Sequence, residues 1–139
     1  MRATAAVLLV HCLLAISHAW DCQEVVNIKN LMQIDAGLGQ VVATDTSQIP
    51  YYLLNQDCQN KGWSHIGGKL SMIEVATDGS VFGVNSLGDV YTRDGITASK
   101  PEGTGWSNVP MCLRMKHVTY DLGRLWVVSK SGVTMVCTR

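Results

Sequence analysis

EVATDGSVFGVNSLGDVYTRDG, residues 74–95, contains two short β-rich runs, SVFGVN and DVYTR, each closed by a glycine-bearing turn. Similar runs, MIEVA, RLWVVS and VTMVC, lie to either side, with TDG, SLG, RDG and KSG between the runs, and no stretch after Trp20 sustains a 3.6-residue apolar period. The chain therefore reads as all-β. Gly79, Gly88, Gly95 and Gly132 stand where a left-handed turn residue is needed, so the runs are expected to pair as hairpins.

The stretch also recurs. WSHIGGKLSMIEVATDGSVFGVNS from Trp63 aligns with WSNVPMCLRMKHVTYDLGRLWVVS from Trp106. Trp63, Ser64, Ile66, Leu70, Val75, Val81 and Phe82 then match Trp106, Ser107, Val109, Leu113, Val118, Leu125 and Trp126, and the one extra residue of the second copy is placed at a turn. Upstream, NIKNLMQIDAGLGQVVATDT fits the same frame through Leu31, Ile34, Gly39, Val41 and Val42, without the tryptophan. A period of about forty residues with about four short strands per unit predicts β-propeller blades rather than a sandwich.

The succession of a tryptophan, GKL, an I-x-V strand, GSVFGVNS and DVYTRDG resembles the tectonin repeat, and LSMIEVATDGSVFGVNSLGDVYTRDGITAS with KHVTYDLGRLWVVSK is similar to the fish-egg lectins. The resemblance runs over residues 22–139. It implies tectonin-type β-propeller blades, about three repeats at roughly 22–62, 63–105 and 106–139, in a domain spanning 20–139. It also implies a secreted, non-enzymatic lectin of innate defence that recognises galactose, N-acetylglucosamine, rhamnose or bacterial lipopolysaccharide. Fish-egg lectins carry five or six repeats, whereas three fit here, and a propeller normally closes with at least four blades. A partial ring leaves sheet edges and an apolar flank open. The expected remedy is a homodimer joined head to tail, or assembly with a full-length relative.

Composition narrows the function classes. With 11 acidic and 11 basic side chains and 16% charged residues, the chain is neither a disordered tail nor an electrostatic binder of nucleic acid. Arg2, the apolar run AAVLLVHCLLAI and the small-x-small pattern of Ser17, His18 and Ala19 read as a signal peptide over residues 1–19. The run is shorter than the roughly twenty residues of a spanning helix, so secretion without a membrane anchor is expected. No Asn-x-Ser/Thr sequon occurs.

Secretion governs the cysteines. Cys12 leaves with the signal, and Cys22, Cys58, Cys112 and Cys137 then form an even set in an oxidising compartment, which implies two disulfides in one of three pairings. Closing the longest loop removes the most unfolded-state entropy, about 4–5 kcal/mol, which favours Cys22–Cys137 and leaves Cys58–Cys112. The same cysteine pair, Cys22 with Cys137, could instead link two chains.

A sugar site needs an aromatic plate and planar polar side chains. Trp63 and Trp106 occupy equivalent loop-adjacent positions, although large aromatics more often pack between blades; Trp126, within a strand, reads as core. Asn85 either caps its own turn or faces a ligand. In DVYTRDG the strand period places Tyr91 and Arg93 on one face and Val90 and Thr92 on the other, and Arg93 with Asp94 is either a sugar contact or a surface ion pair. The candidate carbohydrate-binding set is Asn85, Tyr91, Arg93, Asp94, Trp63 and Trp106.

Catalysis, metal and cofactors find no motif. His65 and His117 hold unrelated positions in their units, and TDG and RDG supply only isolated aspartates, so no calcium dependence is expected. Two other classes compete with the lectin. One is a propeller scaffold that binds proteins without sugar sites; the other is a disulfide-held inhibitor whose active loop would be TASKPEGTG, residues 97–105.

Overall fold

The computed structural model describes residues 20–25, 28–53 and 62–139. The signal peptide of residues 1–19 and Cys58 lie outside the described residues. Strands β1 (Leu31–Gly37), β2 (Gln40–Asp45), β3 (Pro50–Leu53) and β4 (Trp63–His65) make a first sheet in chain order. A second sheet comprises β5 (Met72–Val75), β6 (Val81–Val84), β7 (Val90–Asp94) and β8 (Gly105–Val109). The third holds β9 (Met115–Asp121), β10 (Arg124–Ser129) and β11 (Thr134–Cys137). Every pairing is antiparallel, and no helix occurs among the described residues.

Sheet and sequence unit are out of phase. Trp63 and Trp106 open their units in the sequence, yet β4 and β8 close the preceding sheets through the pairs Leu53–Trp63 and Arg93–Trp106. The units at 63–105 and 106–139 therefore each straddle two sheets, and residues 74–95 run from β5 to just past β7.

One turn is built three times. After β2, β6 and β10, the side chains of Asp45, Asn85 and Ser129 accept from the backbone N–H four residues on, at Ile49, Asp89 and Val133, over 2.9, 2.9 and 3.0 Å. A left-handed residue completes each turn: Gly88 at φ 93° and Gly132 at φ 90°, but Gln48 at φ 65°. A side chain in that region is uncommon, and the first copy lacks the turn glycine that the other two have.

Two seams of buried apolar side chains hold the row together. Val42 and Tyr52 of the first sheet meet Leu70, Ile73, Val75 and Val81 at the second. Met72, Phe82, Val84 and Val90 then meet Met115, Val118, Leu125 and Val127 of the third. Polar stitches accompany them: Asp35 Oδ2 accepts from Val75 N at 2.7 Å, and Glu74 Oε1 from Tyr120 N at 2.8 Å.

Three expectations are corrected. Val75 faces Val81 in its sheet as Tyr120 faces Leu125, so Tyr120, not Val118, matches Val75. The extra length is absorbed inside β9, where Val128 pairs with His117 and Ser129 with Met115, leaving Lys116 as a bulge residue. Trp126 is not core: it is 41% exposed, because its flank of the third sheet meets no further sheet among the described residues. Cys22, Cys112 and Cys137 have no disulfide partner among the described residues, and Cys58 lies outside them. Cys22 precedes the first sheet, and Cys137 ends β11 of the third and packs against the second seam.

Candidate functional site

At the seam of the first two sheets, a cavity of about 320 Å³ is lined by Gly68, Lys69, Leu70, Asn85, Tyr91 and Trp106. Its size lies at the lower end of small-ligand sites. Three of the six side chains chosen from the sequence thus line one cavity, and Arg93 joins them by stacking on Trp106.

Each part has a local cause. Tyr91 and Val90 point to opposite faces of β7, Tyr91 onto the first seam and Val90 into the second, as the strand period requires. Arg93 follows on the side of Tyr91. Its guanidinium carbon lies 4.9 Å from the Trp106 ring centre, and its Nε donates to the Glu102 carbonyl at 2.8 Å. Burial is the main influence on Arg93 and lowers its pKa, while nearby Asp94 and Glu102 act the other way. The anticipated Arg93–Asp94 ion pair does not form; Asp94 instead accepts from Ser107 Oγ at 2.6 Å, away from the cavity lining.

Trp106 is fixed from three sides. Its Nε1 donates to the Gly67 carbonyl at 3.1 Å, Arg93 covers the ring, and its edge lies so near Gly68 that a Cβ there would stand 3.2 Å from Nε1. Gly67 and Gly68 take φ of 78° and 82°, a left-handed pair that lets the chain pass close to the indole. Asn85 serves both of its readings. Its carboxamide caps the turn through Asp89, with Nδ2 also donating to Asp89 Oδ2 at 3.3 Å, and it borders the cavity.

Lys69, Gly68 and Leu70 were missed. The Gly67–Gly68 dipeptide was a turn signal that could have marked the wall, and Lys69 brings an exposed cation beside it. Asn85, Tyr91 and Lys69 offer donors and acceptors, and Trp106 with Leu70 offers apolar surface. This mixture suits the hydroxyl ring and C–H face of a pyranose.

The equivalent place in the first sheet is built differently. Tyr51 and Trp63 stand where Tyr91 and Trp106 stand, but Leu53 replaces Arg93, and Trp63, 8% exposed, packs with Ala43 and Leu53 beneath Val25 and Ile28. Trp63 thus packs in the core, unlike Trp106. Tyr51 is also occupied, donating to Asp45 at 3.1 Å.

Antiparallel four-stranded sheets placed side by side, with a recurring turn and seam, are blades of a β-propeller. The chain matches the tectonin domain over residues 30–130, and it belongs to that family. Among curated proteins it is 54% identical over 82 residues to the fish-egg lectin of Cyprinus carpio, an overlap of 58% of this chain and 34% of that one. The chain thus spans about a third of that relative's length. In fold it is similar to human WBSCR16, with a TM-score of 0.57 and 12% identity over 77% of this chain and 34% of that one. A chain of the structure of Kap60 bound to yeast RCC1 (Prp20) gives a TM-score of 0.58 and 11% identity over 83% of this chain and 31% of that one. At such identities these two structures speak for the fold alone.

Proposed function

We propose that the chain is a secreted, non-catalytic carbohydrate-binding protein of innate defence, with its sugar site in the cavity of Asn85, Tyr91 and Trp106. The observation that carries this reading is the convergence of one ordered indole, a tyrosine, a carboxamide and an ammonium on a cavity of monosaccharide size. The similarity to a lectin supports it. Galactose, N-acetylglucosamine, rhamnose and the saccharides of lipopolysaccharide are the ligands to try.

A second reading rests on the first sheet, where the same place is filled by Trp63 and Leu53. A propeller scaffold that binds proteins through its sheet edges would need no open cavity. Titration of the chain with each sugar, followed through the Trp106 indole N–H resonance assigned with Trp106→Phe, separates the two. The lectin reading predicts a saturable shift of that resonance; no shift with any of these sugars favours the scaffold.

A further inference from the structure

Among the described residues the seam between sheets is made twice, and each of its halves appears once more without a partner. Strand register gives the correspondence. Val42, Phe82 and Trp126 hold one position in β2, β6 and β10, opposite Tyr52, Thr92 and Val136. Val42 and Phe82 fill the first and second seams, whereas Trp126 and Val136 are 41% and 47% exposed. Ile34, Ile73 and Val118 likewise correspond, paired with Ala43, Gly83 and Val127. Ile73 and Val118 are fully buried as the receiving side of a seam, whereas Ile34 is 60% exposed.

The receiving flank is also shaped. A cavity of about 560 Å³ opens on the first sheet, lined by residues including Val25, Ile34, Ala36, Val41, Leu53 and Trp63. In the two formed seams the corresponding position is met by Val42 or Phe82 of the neighbouring sheet. At the far end of the row that side chain is Trp126.

We infer that two copies of this chain dock head to tail, Trp126 and Val136 of each third sheet entering the Ile34 flank of the other's first sheet, so that six sheets close one ring. The argument is continuity: the proposed contact repeats a geometry the chain already uses twice, and unlike flanks meeting in succession form a ring when the rotation closes. Six blades fall within the range of closed propellers. The place of the Asp35 and Glu74 carboxylates is taken by Thr119 in the third sheet, paired with Trp126 as Glu74 is with Phe82, so apolar burial is the main attraction at this contact.

The test is the mass of the purified chain by sedimentation equilibrium, for wild type, Trp126→Asp, Ile34→Asp and an equal mixture of the two variants. All the altered side chains are exposed, and circular dichroism verifies folding, with Val136→Lys as the replacement should Trp126→Asp fail to fold. Head-to-tail docking predicts a mass of about two chains for wild type, one chain for each variant alone, and recovery of two chains in the mixture, where one intact flank of each kind remains. A wild-type mass of one chain at every concentration overturns the inference. So does loss of association in only one variant, the mark of like flanks meeting, or open growth beyond two chains.

Discussion

The guanidinium of Arg93 lies over the ring of Trp106, 4.9 Å from its centre, where the first sheet has Leu53 beside Trp63. One difference between the sheets, a cation in place of an alkyl group, accompanies an indole stacked under a guanidinium instead of one packed with Ala43 and Leu53. Arg93→Ala is predicted to lower unfolding stability by about 1–2 kcal/mol, from the lost cation–π contact and the hydrogen bond to Glu102. Arg93→Leu should recover much of that stability yet lose sugar binding. Urea unfolding and sugar titration of the two variants check the split.

Gly67 and Gly68 offer a matched pair. Both have left-handed backbones, so alanine at either is expected to cost roughly 1 kcal/mol. A Cβ at Gly67 meets nothing within 4 Å, whereas one at Gly68 presses on the indole at 3.2–3.3 Å. Gly68→Ala is therefore predicted to weaken sugar affinity by about tenfold, and Gly67→Ala by much less; equal losses would show that Trp106 is not what the cavity uses.

The repeated turn predicts which residues Asn85 can become. Ser129 makes the same bond, so Asn85→Ser should keep stability within about 0.5 kcal/mol, while Asn85→Ala, and Asn85→Asp by setting a second carboxylate against Asp89, each lose about 1 kcal/mol. Thermal unfolding of the three variants measures it. A loss of binding in Asn85→Ser with stability kept would isolate the ligand role of the carboxamide.

Glu74 sets a pH dependence. Burial raises its pKa above the ordinary value, against the opposing hydrogen bonds from Thr119 and Tyr120; Asp35 adds to the rise and His117 opposes it. The folded state therefore holds this proton to a higher pH than the unfolded chain. The contribution is full below the unfolded pKa and is lost as pH rises through the folded one. Glu74→Gln retains an acceptor for Tyr120 and does not ionise. Its stability relative to wild type should rise between about pH 4 and pH 7; a constant difference in urea unfolding across that range would contradict the assignment.

Much of this was legible in the sequence because it depends on local chemistry. The turns announced themselves through Gly88 and Gly132, the faces of β7 through the alternation of Val90 and Tyr91, and three of the cavity residues through their types. What was hidden depends on partners distant in sequence. Strand phase is decided by which neighbour β4 and β8 pair with, and the bulge at Lys116 by register along the whole of β9. The opposite fates of Trp63 and Trp106 turn on Leu53 and Arg93, and Lys69 gains meaning only when the Gly67–Gly68 turn brings it beside β8. Trp126 looked like core because a tryptophan in a strand usually has a neighbour on both sides.

The most direct measurement is retention of the folded chain on immobilised galactose, N-acetylglucosamine and lipopolysaccharide, eluted with free sugar and compared with Trp106→Ala. The account predicts that wild type is retained on at least one matrix and released by the matching sugar, while folded Trp106→Ala passes through. Failure of wild type on all three, or equal retention of the variant, would contradict a sugar site at Trp106.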